Sequence, residues 1–353
     1  MTRLTGWARW ALAASSCGTV VVLVGCSGTG GPPSPVGTKS AAAATSANQA
    51  GSPVGAVSAT SSVGPGPVAP LTGLAVTAVV ARRPAVAVDV SGTDPVGLGS
   101  ADVVFVEMTS PPRYLAVFQS AEASAVGPVA GTRPTDGRVL SVLHPLLGYD
   151  GGTSAFISVL HSTKVVDGGY AGHASLYSAA SGSLTVSTAA LAAAGKSDGP
   201  PPQLFTYRAP GESLASARES YPTSVRVDIP GQPAQRWSFD SRSDRWVQTA
   251  GGPRVSVANL VVQIVAFKTV YLSRSSGLTV PSARVLGTGV ATIFSGSVPG
   301  HAGGTAATGS WRKPGLATVT DYLDAADAPM SFERGPAWIV LAPAGTRISQ
   351  AEG

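Results

Sequence analysis

Two arginines, two carboxylates and one histidine stand out in the first half of the chain: Glu107, Arg113, Arg133, Asp150 and His173. Each is flanked by apolar segments whose burial would carry it toward an interior or a cleft. A guanidinium offers a planar pair of donors, so Arg113 and Arg133 beside Glu107 and Asp150 could grip a carboxylate- or amide-bearing ligand through forked hydrogen bonds. They could equally pair with one another inside the fold, because a buried charge must be compensated. An imidazole next to glycine, as at His173, can act as a general base or a metal ligand. The other histidines, His144, His161 and His301, form no HxH or HxxxH pair with it or with each other, so no metal site is expected.

Other patterns weaken the case for covalent chemistry. Neither G-x-S-x-G nor HExxH occurs, so no serine nucleophile and no zinc hydrolase is expected. Gly287-Thr288-Gly289 resembles a phosphate loop only faintly, since strand-like residues follow where an anion loop needs a helix start. Asp324 and Asp327 lie in a turn-like stretch and read as hairpin decoration. Trp311-Arg312-Lys313 and Trp338 could stack on a sugar or a partner, or pack inside a small β domain. No catalytic residue and no cofactor is assigned from these residues, and the reading leans away from an enzyme.

One sulfur atom points to a different chemistry. Leu23-Val24-Gly25-Cys26 ends an apolar run that follows Arg3 and Arg9, which is the pattern of a lipoprotein signal peptide whose cysteine becomes the acylated N-terminus. The run is too short to span about 30 Å of hydrocarbon and is interrupted by Ser15, Ser16 and Gly18. Each buried methylene of an acyl chain contributes about 0.8 kcal/mol, so two or more chains on Cys26 would hold the protein on the membrane. The expected place is therefore the extracytoplasmic face of the cell membrane, with palmitate-type chains as the anchor. The only other cysteine, Cys17, falls inside the segment to be removed, so the mature chain has no disulfide.

The formal net charge is +5 and becomes +3 once Arg3 and Arg9 are lost. The remaining charges are scattered, which is not a nucleic-acid footprint. Residues 27–69 are almost all Ser, Gly, Pro, Ala, Thr and Val, with Lys39 the only charge. Such a segment cannot offset the entropy of ordering, and as a coil it would hold a folded body about 35–40 Å from the lipid. The organisation expected is a signal peptide over 1–25, a tether over 26–69, an α+β domain over 70–212 and a smaller β-rich domain over 222–345.

Apolar or alternating segments separated by Gly, Pro and Ser predict strands at 84–90, 101–108 and 114–119. Helical spacing or composition predicts helices over 136–147, 154–160 and 184–194. The fold class that follows is α+β: a mixed sheet with packed helices, then a β-rich part. In that second part a hairpin is predicted from 236–240 and 245–249 around the turn Ser241-Arg242-Ser243-Asp244. Further strands are predicted at 259–267, 284–286, 290–294, 317–322 and 338–341.

Several blocks in this order carry a resemblance: Pro70-Leu71-Thr72-Gly73-Leu74, Arg83-Pro84-Ala85-Val86-Ala87-Val88, Ala101-Asp102-Val103-Val104-Phe105, Arg113-Tyr114-Leu115-Ala116-Val117-Phe118-Gln119-Ser120 and Gly127-Pro128-Val129. The second half adds Asn259-Leu260-Val261-Val262-Gln263, Gly309-Ser310-Trp311-Arg312-Lys313 and Gly335-Pro336-Ala337-Trp338-Ile339. Together they resemble the DUF3048 or YerB-like lipoproteins over nearly everything after residue 70. The resemblance implies a surface lipoprotein with an α+β N-terminal and a smaller β-rich C-terminal domain, in a family named for its unknown function. The family pattern usually has a further arginine where Ala130 stands and a histidine where Asp150 stands, and its Pro-His-Asn-Leu-Tyr-like block is here Gly172-His173-Ala174-Ser175-Leu176-Tyr177.

The function expected is a membrane-anchored binding or scaffolding component of the cell envelope, whose partners are the membrane through Cys26 and a cell-wall component or envelope protein. A peptidoglycan- or glycan-directed hydrolase using Glu107 with Asp150 or His173 is the first alternative. A solute-binding lipoprotein is the second, and the β-rich second half argues against its two α/β lobes.

Overall fold

The computed structural model describes residues 66–180, 182–195, 199–216, 218–272 and 277–352. The signal peptide, Cys26 and the tether as far as residue 65 lie outside the described residues.

Near-continuous apolar runs form three long strands in the first half: β1 (Val86–Ser91), β2 (Val103–Glu107) and β3 (Arg113–Phe118), followed by the short β4 (Leu146–Gly148) and β5 (Val166–Asp167). β3 runs antiparallel to both β2 and β1, and β4 and β5 then extend the sheet in parallel from β1. On the far side of β2 the sheet continues with strands from the end of the chain. Ala337–Ala342 lies parallel to β2 and also parallel to Asn259–Ile264. Gly287–Phe294, Ala306–Lys313 and Asp321–Leu323 complete a ten-stranded sheet among the described residues.

The central strands of this sheet are buried on both faces. Ala85, Ala87, Val103, Leu115, Val117, Ile339 and Leu341 pack on one side with Val139 and Leu140 of the helix Pro134–Leu140 and Leu143 of the turn after it. Their neighbours in sequence, such as Val88, Val104, Ala116, Trp338 and Val340, face the other side. A five-stranded sheet covers that side, ordered Ser256–Val257, Arg245–Ala250, Gln235–Asp240, Pro222–Asp228 and Arg347–Glu352. Its Trp237 meets Trp338 with ring centroids 6.1 Å apart. The protein is therefore α+β and mostly β, with continuous apolar runs in central strands because neither face meets water.

Several elements differ from the sequence pattern, among them the strand expected over 317–322, which forms only at Asp321–Leu323. The helix expected over 136–147 is Pro134–Leu140, and Leu146–Gly148 is a strand. His144 takes a left-handed φ of 49° immediately before Pro145, and a residue preceding proline disfavours the α region, so the helix cannot continue. The helix expected over 184–194 is likewise split into the strand Ser183–Val186 and the helix Thr188–Ala194. Ser187 divides them by accepting a hydrogen bond from the Ala190 amide as an N-cap. In the second half, Thr279–Ala283 is a strand paired with Phe267–Tyr271, whereas the predicted strand at 284–286 does not form.

The strand Ala337–Ala342 is buried at every position and bonded to a first-half strand on one edge and a second-half strand on the other. Unfolding either half would strip a face of this strand, so differential scanning calorimetry should show one transition for residues 66–352. Two well-separated transitions would refute that coupling.

Candidate functional site

Strand alternation and register build the site. Asp89 on β1, Glu107 at the end of β2 and Arg113 at the start of β3 all face the helix Pro134–Leu140. Glu107 and Arg113 are cross-strand partners, and Asp89 is opposite Leu115. Pro134 opens the helix, and Asp136 in its first turn accepts from the Arg133 amide, which satisfies one backbone donor of the helix start.

The Arg113 guanidinium stands between three carboxylates. Its Nη1 donates to Glu107 Oε2 at 3.3 Å, and its Nη2 donates to Asp136 Oδ2 at 3.3 Å, to Asp89 Oδ2 and to the Gly131 carbonyl at 2.9 Å. Glu107 Oε1 accepts from Thr135 Oγ1 and from the Ala283 amide, each at 2.7 Å. Ser282 closes the group, with its Oγ 3.0 Å from Thr135 Oγ1. The cluster thus ties β1, β2, β3, the helix and the strand Thr279–Ala283 together.

Burial governs its electrostatics. It raises Asp89 well above the usual carboxylate range despite the attraction of Arg113, with Asp136 adding to the rise. Glu107 is raised for the same reason. For Arg113 burial acts to lower the value, but Asp136, Asp89 and Glu107 outweigh it and hold the guanidinium firmly charged. Three carboxylates around one guanidinium would leave excess negative charge in the interior, and a proton retained on the carboxylates reduces it. The cavity among these side chains measures about 10 Å³, room for one water at most.

The five residues singled out in the sequence separate accordingly. Glu107 and Arg113 are brought together and are buried, at 5% and 7% exposure. Arg133 adjoins the cluster through its backbone, while its half-buried side chain turns toward the Phe156 ring, 5.9 Å from the centroid. Its Nη1 is buried without a hydrogen-bond partner, and burial followed by the charge of Arg113 lowers its pKa. Asp150 is exposed at the end of β4, its amide bonded to the Ala130 carbonyl. His173 is half-buried at the end of the short helix Tyr170–His173. Neither joins Glu107, so the five do not line one pocket.

Asp89, Asp136, Thr135 and Ser282 complete the cluster and were not singled out from the sequence. Two signals pointed to them. Asp89 shares the spacing of Ala85 and Ala87, which puts a carboxylate on an apolar face, and Asp136 has the third-position spacing that caps a helix start. Nothing local connects Ser282 to Thr135, which lies 147 positions away.

The remaining candidates are structural. Trp311 is buried and its Nε1 donates to the Ile264 carbonyl at 2.9 Å. Trp338 is in the core, and Arg312 pairs with Asp321 at 3.1 Å. Asp324 staples a turn by accepting from the Ala326 and Ala328 amides at 2.8 and 3.0 Å.

The fold and the cluster define a mixed α+β protein in which one sheet spans both halves and a buried ion network pins a helix to it. Residues 71–196 match the model for the N-terminal domain of the protein of unknown function DUF3048, and residues 226–339 match the model for its C-terminal domain. The chain belongs to the DUF3048 family. Its fold is similar to that of the YerB protein from Bacillus subtilis, whose crystal structure aligns with a TM-score of 0.62 at 19% identity, covering 80% of this chain and 99% of that one. No curated protein matches the sequence.

Proposed function

We propose that the protein is an extracytoplasmic lipoprotein, acylated at Cys26, whose folded body serves as a binding or scaffolding component of the cell envelope. The observation that carries this reading is the box Leu23-Val24-Gly25-Cys26 behind an apolar run and two arginines. The Ser/Gly/Pro/Ala segment that follows suits a tether, letting a body held at one point on the membrane sample the space above it. Among the described residues no helix is long and apolar enough to cross a membrane.

The charged cluster favours binding or scaffolding over hydrolysis. A general acid must reach the bond it protonates. Glu107 is 5% exposed and engaged by Arg113, Thr135 and the Ala283 amide, and Asp150 and His173 do not accompany it. A solute-binding role would call for two α/β lobes around a cleft, whereas here the two halves share one sheet.

Metabolic labelling with radioactive palmitate in the native cell tests the anchor. Wild-type protein should carry label and sediment with membranes, and Cys26→Ser should lose both. Unlabelled wild-type protein in the soluble cytosolic fraction would overturn the proposal.

A further inference from the structure

Residues 245–320 contain no Asp or Glu, yet they hold seven Lys and Arg residues. Part of that basic excess converges on one open groove of about 520 Å³ beside the strand pair Phe267–Tyr271 and Thr279–Ala283. Arg138, Lys268 and Arg284 line it, and no carboxylate does. The convergence follows from the fold. Ser282 touches Thr135, so Arg284, two residues on along the chain, comes beside Arg138, one helical turn beyond Thr135. Lys268 is the cross-strand partner of Ser282 and shares its face.

Lys268 and Arg284 enter none of the ion pairs among the described residues. Among the described residues the Arg138 side chain donates only to the Pro134 carbonyl, at 3.0 Å through Nη1. The carboxylates behind the groove wall, Glu107 and Asp136, are buried and occupied by Arg113. A fourth cation stands behind the floor: Lys313 is opposite Gly287 in register, is buried, and donates to the Thr318 carbonyl with no acidic partner. Burial pushes its ammonium down to about 8, as expected for an amine without a counter-charge. The rest of the lining is apolar or small, including Val285, Leu286 and Trp311.

We propose that this groove binds a phosphate-bearing ligand, with Arg138, Lys268 and Arg284 on the phosphate oxygens and an aliphatic or sugar body along the exposed Leu286. A carboxylate can be matched by one guanidinium; three cations with no acid between them suit a multiply charged anion or successive phosphodiesters, and arginine forks match phosphate geometry. The proposal is independent of acylation at Cys26.

The test is a calorimetric titration of the full-length chain, in neutral detergent at low salt, with inorganic tripolyphosphate. Binding should occur, weaken as salt is raised, and fall at least tenfold in Lys268→Glu/Arg284→Glu. It should persist in Lys268→Arg/Arg284→Lys and in Arg242→Glu/Arg254→Glu, which reverses the same charge outside the groove. Phosphatidylglycerol vesicles against phosphatidylcholine vesicles, and soluble glycerol 3-phosphate, then separate a lipid headgroup from a soluble phosphate as the source. Absence of tripolyphosphate binding, or an equal loss in the outside pair, would overturn the proposal.

Discussion

Replacing Arg113 by methionine is expected to lower the stability of the folded body by about 3–5 kcal/mol, the cost of removing one partner from a buried ion network. The guanidinium is the sole cation among Asp89, Glu107 and Asp136 in the cluster, and each of those carboxylates is at most 5% exposed. Without it, three acids would remain in the interior with hydroxyl and amide donors only. Asp89 and Glu107, already raised by burial, would answer by holding protons, so urea denaturation should show a smaller deficit at pH 5 than at pH 8. A loss under about 1 kcal/mol that does not change with pH would show that the cluster does not hold the helix Pro134–Leu140 to the sheet.

The wild-type protein should show the same linkage in weaker form. Asp89 and Glu107 are raised by burial in the folded state, so above the ordinary carboxylate range near 4 the unfolded chain releases protons that the folded one retains. The folded state then binds more protons, and stability falls as pH rises through that window until the folded groups ionise too. Asp89→Asn removes one of the two groups and should flatten the slope; an unchanged slope would assign the linkage elsewhere.

Trp338→Ala is expected to be comparably severe, at about 3–5 kcal/mol by urea denaturation. Trp338 is 1% exposed on the central strand Ala337–Ala342, flanked in register by Val104 of β2 and Leu260 of the second half. Its ring lies 5.8 Å from Tyr114 and 6.1 Å from Trp237, so it joins the ten-stranded sheet to the five-stranded one. Trp338→Phe should recover much of the loss, because the indole Nε1 is buried with no hydrogen-bond partner and phenylalanine forfeits none. A phenylalanine variant as unstable as the alanine variant would show that shape at this seam matters more than burial.

Much of the first half was readable in the residue order. The apolar segments at 84–90, 101–108 and 114–119 match β1, β2 and β3, and the hairpin around Ser241-Arg242-Ser243-Asp244 is present. The polar residues were harder to interpret. Glu107 and Arg113 lie on neighbouring strands and met, but Asp150 follows β4 and His173 ends the short helix Tyr170–His173, whose places depend on β4, β5 and the backbone after them. Flanking apolar residues show that a segment is buried without showing which way its polar end turns.

The sequence by itself determined the apolar strands of the first half, the presence of a helix after Asp136, the α+β class and membership in the DUF3048 family, because these follow from residue pattern and the order of motifs along the chain. Only the tertiary structure decided that Ala337–Ala342 would lie between β2 and Asn259–Ile264, and that Ser282 would close a cluster begun by Asp89. Periodicity reports the face a residue occupies on its own strand. The choice of neighbouring strand is set by packing across more than a hundred residues, and no local pattern records it.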